Sequence, residues 1–247
     1  MKHRISRILL AAAAATAGVF LSACGLFRSP ADNVFDDAEN AIATDKVASD
    51  IKTAQFEYEL DDGDTATIRF LAPDNVRIDV LEGNDSSVFC LNGDTGWMYL
   101  GGEVLDMTED DIKEMEGALL QTIPFKVDFQ EIFTNAALQE LPEDACGEEC
   151  DVISAVFRLE PTIRAKFWIG KDTDLVRQFE FVTEEGVYTM QYFDYCDFDD
   201  ITLPSEMFRF TPDGAAKVSL VSFETNVEIP ESVFQKPEKV SYTEGDK

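Results

Sequence analysis

The sequence predicts a mainly β, antiparallel protein with a helical cover. Three observations carry this. From residue 55 onward, short runs alternate apolar and polar residues with period two. Turn sequences rich in Asp, Asn, Gly and Pro separate these runs. Two stretches, within 31–54 and 108–141, switch to the three-and-four spacing of a helix.

In chain order, Val34, Phe35, Ala38, Ile42, Ala48 and Ile51 predict one amphipathic helix, capped by Asp32 or Asn33. "QFEYEL" then sets Phe56, Tyr58 and Leu60 against Gln55, Glu57 and Glu59, and "DDGD" turns the chain. "TATIRFL" places Ile68 and Phe70 on one face. After "APDN", "VRIDV" sets Val76, Ile78 and Val80 against Arg77 and Asp79. "SVFCL", the turn "NGDTG" and "WMYL" form a further hairpin carrying Trp97, Met98 and Tyr99. Sequential hairpins with one apolar and one polar face make an antiparallel meander. Thr108 reads as the N-cap of a helix with Ile112, Met115 and Leu119 on its apolar stripe. Pro124 breaks that pattern, and a second helix is expected from about Asp128 to Leu141. Strands resume with "VISAVFRLE", "AKFWIG", "LVRQFEFV" and "VYTMQYF". Phe179 and Phe181 share a face, and Tyr188, Met190 and Tyr192 alternate. The last seven residues, 241–247, read as a flexible tail.

The N-terminus is a targeting segment rather than part of the fold. Lys2, Arg4 and Arg7 precede "ILLAAAAATAGVFL", an apolar stretch too short for a membrane span. "LSAC", ending at Cys24, resembles a bacterial lipobox, with residues 1–23 as signal peptide and Cys24 as the acylated residue. The resemblance implies several acyl chains on Cys24, enough to hold a protein on a bilayer. Gly25, where an inner-membrane retention signal would place Asp, favours the outer membrane, facing the periplasm. Residues 24–33 then serve as tether.

The whole chain carries a formal charge of −29. Loss of residues 1–23 removes three basic residues and no acidic one, so the mature charge is −32. Nucleic acids and anionic headgroups repel such a chain. Membrane contact is therefore assigned to the lipid on Cys24. The remaining length fits one domain, 34–240, expected as a monomer. Cys90, Cys146, Cys150 and Cys196 are even in number in an oxidising compartment, which predicts two disulfides, with three pairings open. "CGEEC" lacks the further sulfur or imidazole that zinc sites use, and no metal or cofactor is expected. "DYCDFDD", residues 194–200, lacks EF-hand spacing and reads as an acidic turn. The one histidine, His3, leaves with the signal peptide, which removes Ser-His and Cys-His chemistry. No enzymatic activity is expected.

The order of elements, with several local matches, resembles the outer-membrane lipoprotein-sorting superfamily of LolA/LolB-like carriers and acceptors. "IKTAQFEYEL" is similar to the family's helix end running into its first strand, and "APDNVRIDV" to its proline turn. "NGDTGWMYL" is similar to its Asp-Gly turn and aromatic strand, and "IPESVFQKPEKV" to its C-terminal Phe-then-Pro segment. "MFRFTPDGAAKV" resembles that segment too. The resemblance implies a half-open antiparallel β-barrel with helices on an apolar concave face that holds acyl chains. Phe56, Tyr58, Ile68, Phe70, Val76, Ile78, Trp97, Tyr99, Phe179, Phe181, Tyr188 and Met190 would line that cavity. Alternation alone fits a filled core equally. The family's periplasmic carriers place a functional arginine directly before this proline. The residue here is Ala72, a departure from the release mechanism of those carriers, and the lipid anchor points to a fixed acceptor or local carrier rather than a free shuttle. The functions in view are a membrane-anchored protein binding lipid or lipoprotein acyl chains, and a structural envelope lipoprotein with a filled core.

Overall fold

Alternating runs closed by tight turns give almost every strand its sequence neighbour as its hydrogen-bonding partner. A computed structural model shows this directly. It describes residues 28–112, 115, 123–158, 160–184 and 186–237. The predicted signal peptide, Cys24 and the 241–247 tail lie outside them.

The structure is mainly antiparallel β, built on one open fourteen-stranded sheet. In chain order the strands are β1 Thr53–Leu60, β2 Thr65–Leu71, β3 Asn75–Glu82, β4 Asp85–Asn92, β5 Thr95–Leu100, β6 Glu103–Asp106, β7 Phe133–Leu138, β8 Glu143–Ala145, β9 Glu148–Phe157, β10 Arg164–Gly170, β11 Val176–Thr183, β12 Gly186–Phe198, β13 Ile201–Thr211 and β14 Gly214–Thr225. The hydrogen-bonded order runs β6-β5-β4-β3-β2-β1-β14-β13-β12-β11-β10-β9-β7, with β8 paired to β9. The helices are α1 Pro30–Ile42, α2 Asp45–Asp50 and α3 Phe129–Ile132. By contact density the chain forms two compact units. The first comprises described residues of Met1–Asp50 and Lys113–Leu220, the second those of Ile51–Ile112 and Val221–Lys247.

In the first unit, α1 starts where Ser29 closes a capping box. The Ser29 Oγ accepts from the Asp32 N–H at 3.1 Å, and the Asp32 carboxylate accepts from the Ser29 N–H at 2.9 Å. Pro30 suits the first helical turn, where no N–H partner is needed. The cap is thus Ser29, not Asp32 or Asn33. Ala31, Phe35 and Ala38 form the buried stripe. The expected single helix over 31–54 is in fact two. Ala43 is extended, α2 is a separate short helix, and from Thr53 the chain is already β1. Strand pairing there outweighs the weak helical pattern of the 43–54 segment.

A second expectation is corrected nearby. The helix predicted over 128–141 is only the four-residue α3, capped by Asp128, whose Oδ1 accepts from the Glu131 N–H at 2.8 Å. The chain then enters β7, pairing Phe133 with Phe157 and Leu138 with Ile153 of β9. Asn135, at φ 55°, forms a bulge that a helix would not tolerate. The open edge of β9 supplies hydrogen bonds that a marginal isolated helix lacks. Thr108 does cap as expected: its Oγ1 accepts from the Asp111 N–H at 3.2 Å, and residues 109–112 form a helical turn.

In the second unit, register sorts the side chains of β1 to β5 onto two faces. Phe56 pairs with Ile68, Ile68 with Ile78, Ile78 with Phe89, and Phe89 with Met98. Residues two positions away, including Tyr58, Phe70 and Val76, share that face. Cys90 pairs with Trp97 and Val88 with Tyr99, so these four lie on the opposite face. Gly93, at φ 59°, makes the tight turn between β4 and β5. All four central residues of β4, Val88 to Leu91, are buried, because both faces are covered. The cover on the Trp97 face is the chain's own C-terminal turn, Glu231–Phe234.

Candidate functional site

Aromatic side chains dominate the interior of the first unit, and they leave a space. On β10 and β11, Phe167 sits opposite Phe179, and Phe181 lies two residues further along β11. Phe133 from β7 is 5.0 Å from Phe167 and 6.3 Å from Phe181, centroid to centroid. Phe179 is 5.0 Å from Phe181 and 6.0 Å from Tyr192. From the helical side, Phe35 of α1 stacks on Phe129 of α3 at 4.7 Å and meets Phe167 edge-on at 5.3 Å. These separations fall in the range of favourable ring pairs. The network does not close completely. It surrounds an apolar cavity of about 80 Å³, with α1 contributing Ala38, Glu39 and Ile42 to the wall.

Two local irregularities shape this wall. The bulge at Asn135 leaves Phe133 directed with Phe157 and Phe167. On β12, Asp194 at φ 42° interrupts the pairing to β13, so that Tyr192 and Tyr195 both line the cavity. The Tyr195 hydroxyl donates to the Val176 carbonyl, and burial pushes its pKa up. Arg177 lies over the Tyr195 ring at 5.3 Å, and its Nε donates to Glu148 at 2.5 Å.

Among the described residues, Glu39 is the one charged side chain in the wall. Its Oε1 accepts from the Phe129 N–H at 2.6 Å. Half-burial pushes its carboxyl up to about 7, against the opposing effect of that hydrogen bond; Asp128 and Asp45 add to the rise and Arg28 opposes it. A second tie runs from Gln130 Nε2 to Asp36 at 2.5 Å, and Arg28 pairs with Asp36. Together these fix α1 to the α3 turn beside the cavity.

Of the twelve residues expected to line a cavity, Phe179 and Phe181 do so here. Tyr188 and Met190 are their cross-strand partners on β12, outside the lining. Phe56, Tyr58, Ile68, Phe70, Val76 and Ile78 share one face of the second unit, where Phe56 stacks with Tyr58 and packs on Phe223 at 4.7 Å. Trp97 and Tyr99 are not with them. Trp97 Nε1 donates to the Phe234 carbonyl at 3.0 Å, and Phe234 is 1% exposed. Arg77 clamps the same segment, donating to the Val233 carbonyl at 2.9 Å while its guanidinium pairs with Asp79 at 2.6 Å.

The expected disulfides are absent: all four cysteines are free thiols. Cys90 sits in the Trp97 cluster, its thiol donating to the Phe234 carbonyl at 3.3 Å, and burial pushes it up to about 12. Cys146 donates to the Arg177 carbonyl at 3.3 Å. Cys150 is buried beside Ala145, Val152 and Trp168, which pushes it up to about 11. Cys196 is exposed. Thiols raised by burial are poor nucleophiles. No group of three or more His, Cys, Asp or Glu among the described residues is arranged to hold a metal ion.

Comparison with solved structures shows the fold to be LolA-like. The chain is similar to a DUF1329 family protein from Desulfovibrio piger, at TM-score 0.59 and 13% identity over 84% of this chain and 98% of that one. It is similar to a putative outer membrane lipoprotein-sorting protein domain from Vibrio parahaemolyticus, at TM-score 0.54 and 13% identity over 83% and 97%. A LolA superfamily protein from Nitrosomonas europaea gives TM-score 0.53 and 12% identity over 85% and 99%. No protein-family model matches the sequence, and no curated protein does either. At such identities the likeness speaks for the fold.

Proposed function

We propose that this protein is an envelope lipoprotein, anchored through Cys24 to the outer membrane, which binds an acyl chain of a lipid or lipoprotein in the aromatic cavity of its first unit. The observation that carries the reading is the cavity itself: apolar, ring-lined and bounded by a helix rather than filled. Apolar sites of this kind gain about 0.8 kcal/mol per buried methylene. By the measure in which one water needs about 10–15 Å³, the space holds roughly five methylenes, worth about 4 kcal/mol. That alone corresponds to millimolar binding. A tight complex therefore requires α1 to move outward with its Glu39 and Asp36 ties, so that more of the chain enters. The likeness to lipoprotein-sorting folds supports this reading, as does the predicted lipobox. Neither asks for catalysis, and the protein acts by binding.

The alternative, a structural envelope lipoprotein, draws its support from the second unit, whose Trp97 face is covered by Phe234. Native mass spectrometry separates the two. The full chain is expressed to the envelope of a bacterial host, purified, and any bound material is extracted. A stoichiometric acyl species supports the binding reading. A mass that stays free of ligand after incubation with phospholipid and lipopeptide contradicts it.

A further inference from the structure

An otherwise apolar cavity with a single carboxylate in its wall distinguishes one polar end of a ligand from another. Among the described residues, Glu39 alone brings charge to this wall. One of its oxygens is committed to the Phe129 N–H. No other hydrogen bond to the carboxylate occurs among the described residues. Two further acids, Asp45 of α2 and Asp128 at the α3 cap, bear on it electrostatically, with Arg28 as the opposing cation. The remaining polar side chains of the wall are Tyr192 and Tyr195; the Tyr195 hydroxyl donates to the Val176 carbonyl.

We propose that Glu39 sets the headgroup specificity of the cavity: it admits acyl chains that end in a hydrogen-bond-donating or cationic group, such as an amide or ammonium, and rejects free fatty acids. The inference rests on the acyl-binding reading of this cavity. An amide N–H or an ammonium donates to the open Glu39 oxygen. A fatty-acid carboxylate would set like charge against like charge in a partly desolvated site. Burial raises the Glu39 carboxyl into the neutral range, so its selectivity is pH-dependent. Above that range Glu39 is an anion. Below it, the protonated carboxyl donates, and the objection to a carboxylate disappears.

The test uses the full chain purified from the envelope and an equimolar mixture of dodecylamine and dodecanoate, read by native mass spectrometry at pH 8.5 and pH 6. The wild type is expected to favour the amine by about tenfold or more at pH 8.5, and to lose most of that preference at pH 6. Glu39→Gln keeps an oxygen for the Phe129 N–H but no charge, and is expected to show little preference at either pH. Equal uptake of both ligands by the wild type at pH 8.5 overturns the inference while leaving the acyl site standing. So does a tenfold preference that survives in Glu39→Gln. Uptake of neither ligand by either protein overturns the acyl site itself, and the inference with it.

Discussion

The two units of this chain meet the same problem, an apolar sheet face that needs cover, in opposite ways. In the second unit the Trp97 face is filled by the chain itself: Phe234 occupies the space between Val88, Cys90 and Trp97, and its carbonyl takes two donors. In the first unit α1 and α3 bring Phe35 and Phe129 over the sheet, yet the rings leave about 80 Å³ unoccupied. Close packing is the rule in protein interiors. A cavity walled by large rings therefore has to be maintained by the backbone, here through the bulge at Asn135, the break in pairing at Asp194 and the ties of α1. The difference separates a face that the chain fills itself from one that leaves a space, and the proposed acyl site rests on that space.

Substitutions test or refine this comparison, beginning with the strongest expected effect. Phe234→Ala removes the filling residue of the second unit and should cost about 3–5 kcal/mol. Urea unfolding followed by tryptophan fluorescence measures it, and a loss near zero would mean the segment is not docked. Enlarging a ring sharpens the contrast. Phe89→Trp, at a fully buried position on the other face of the second unit, should cost about 1–3 kcal/mol through overpacking. Phe181→Trp has the cavity to grow into and should cost less than about 1 kcal/mol while abolishing acyl uptake.

Glu39→Gln follows. With its folded carboxyl near 7 and an ordinary value of 4.5, Glu39 contributes stability that is complete below pH 4.5 and lost as pH rises through 7. The wild type should weaken by roughly 1–2 kcal/mol between pH 4.5 and 8 at this site, after allowance for screening of a half-exposed group. The variant should lack that component, so denaturation midpoints of the two should diverge with rising pH. Ser29→Ala, which opens the α1 capping box, should cost about 1 kcal/mol and speed amide exchange in α1 first. The smallest effect belongs to Lys236→Ala: its exposed pair with Asp106 should be worth well under about 1 kcal/mol.

Much of this architecture was legible in the chain. Period-two runs and their turns gave the strands and the antiparallel order, because each hairpin is encoded locally. The same count put Phe179 and Phe181 on one face, while a cavity there was what the family resemblance implied. What escaped was set by tertiary context. "FQEIFTNAAL" spaces its apolar residues like a helix, and only the open edge of β9 turns it into a strand. Phe133 lies just after the α3 turn, in a stretch whose spacing reads as helix, and Tyr192 and Tyr195 flank the left-handed Asp194, where the pairing to β13 is broken, which a period-two count does not register. Trp97 and Tyr99 were placed with Phe56 and Ile78, but pairing parity puts them across the sheet, with Met98 on the Phe56 face instead. An even number of cysteines suggested two bridges, whereas each thiol has its own surroundings and hydrogen-bonding carbonyls serve three of them. Glu39 was invisible among 49 acidic residues until the cavity singled it out.

The central claim is that the first unit, not the second, receives the acyl chain. Photolabelling tests it most directly. A lipid bearing a diazirine near the end of its acyl chain is incubated with the full-length protein, irradiated, and the labelled peptides are mapped. Label on the β7, β11 and β12 peptides that hold Phe133, Phe179, Phe181 and Tyr192 is the predicted result. Label concentrated on the peptides of Trp97 and Phe234 would contradict it.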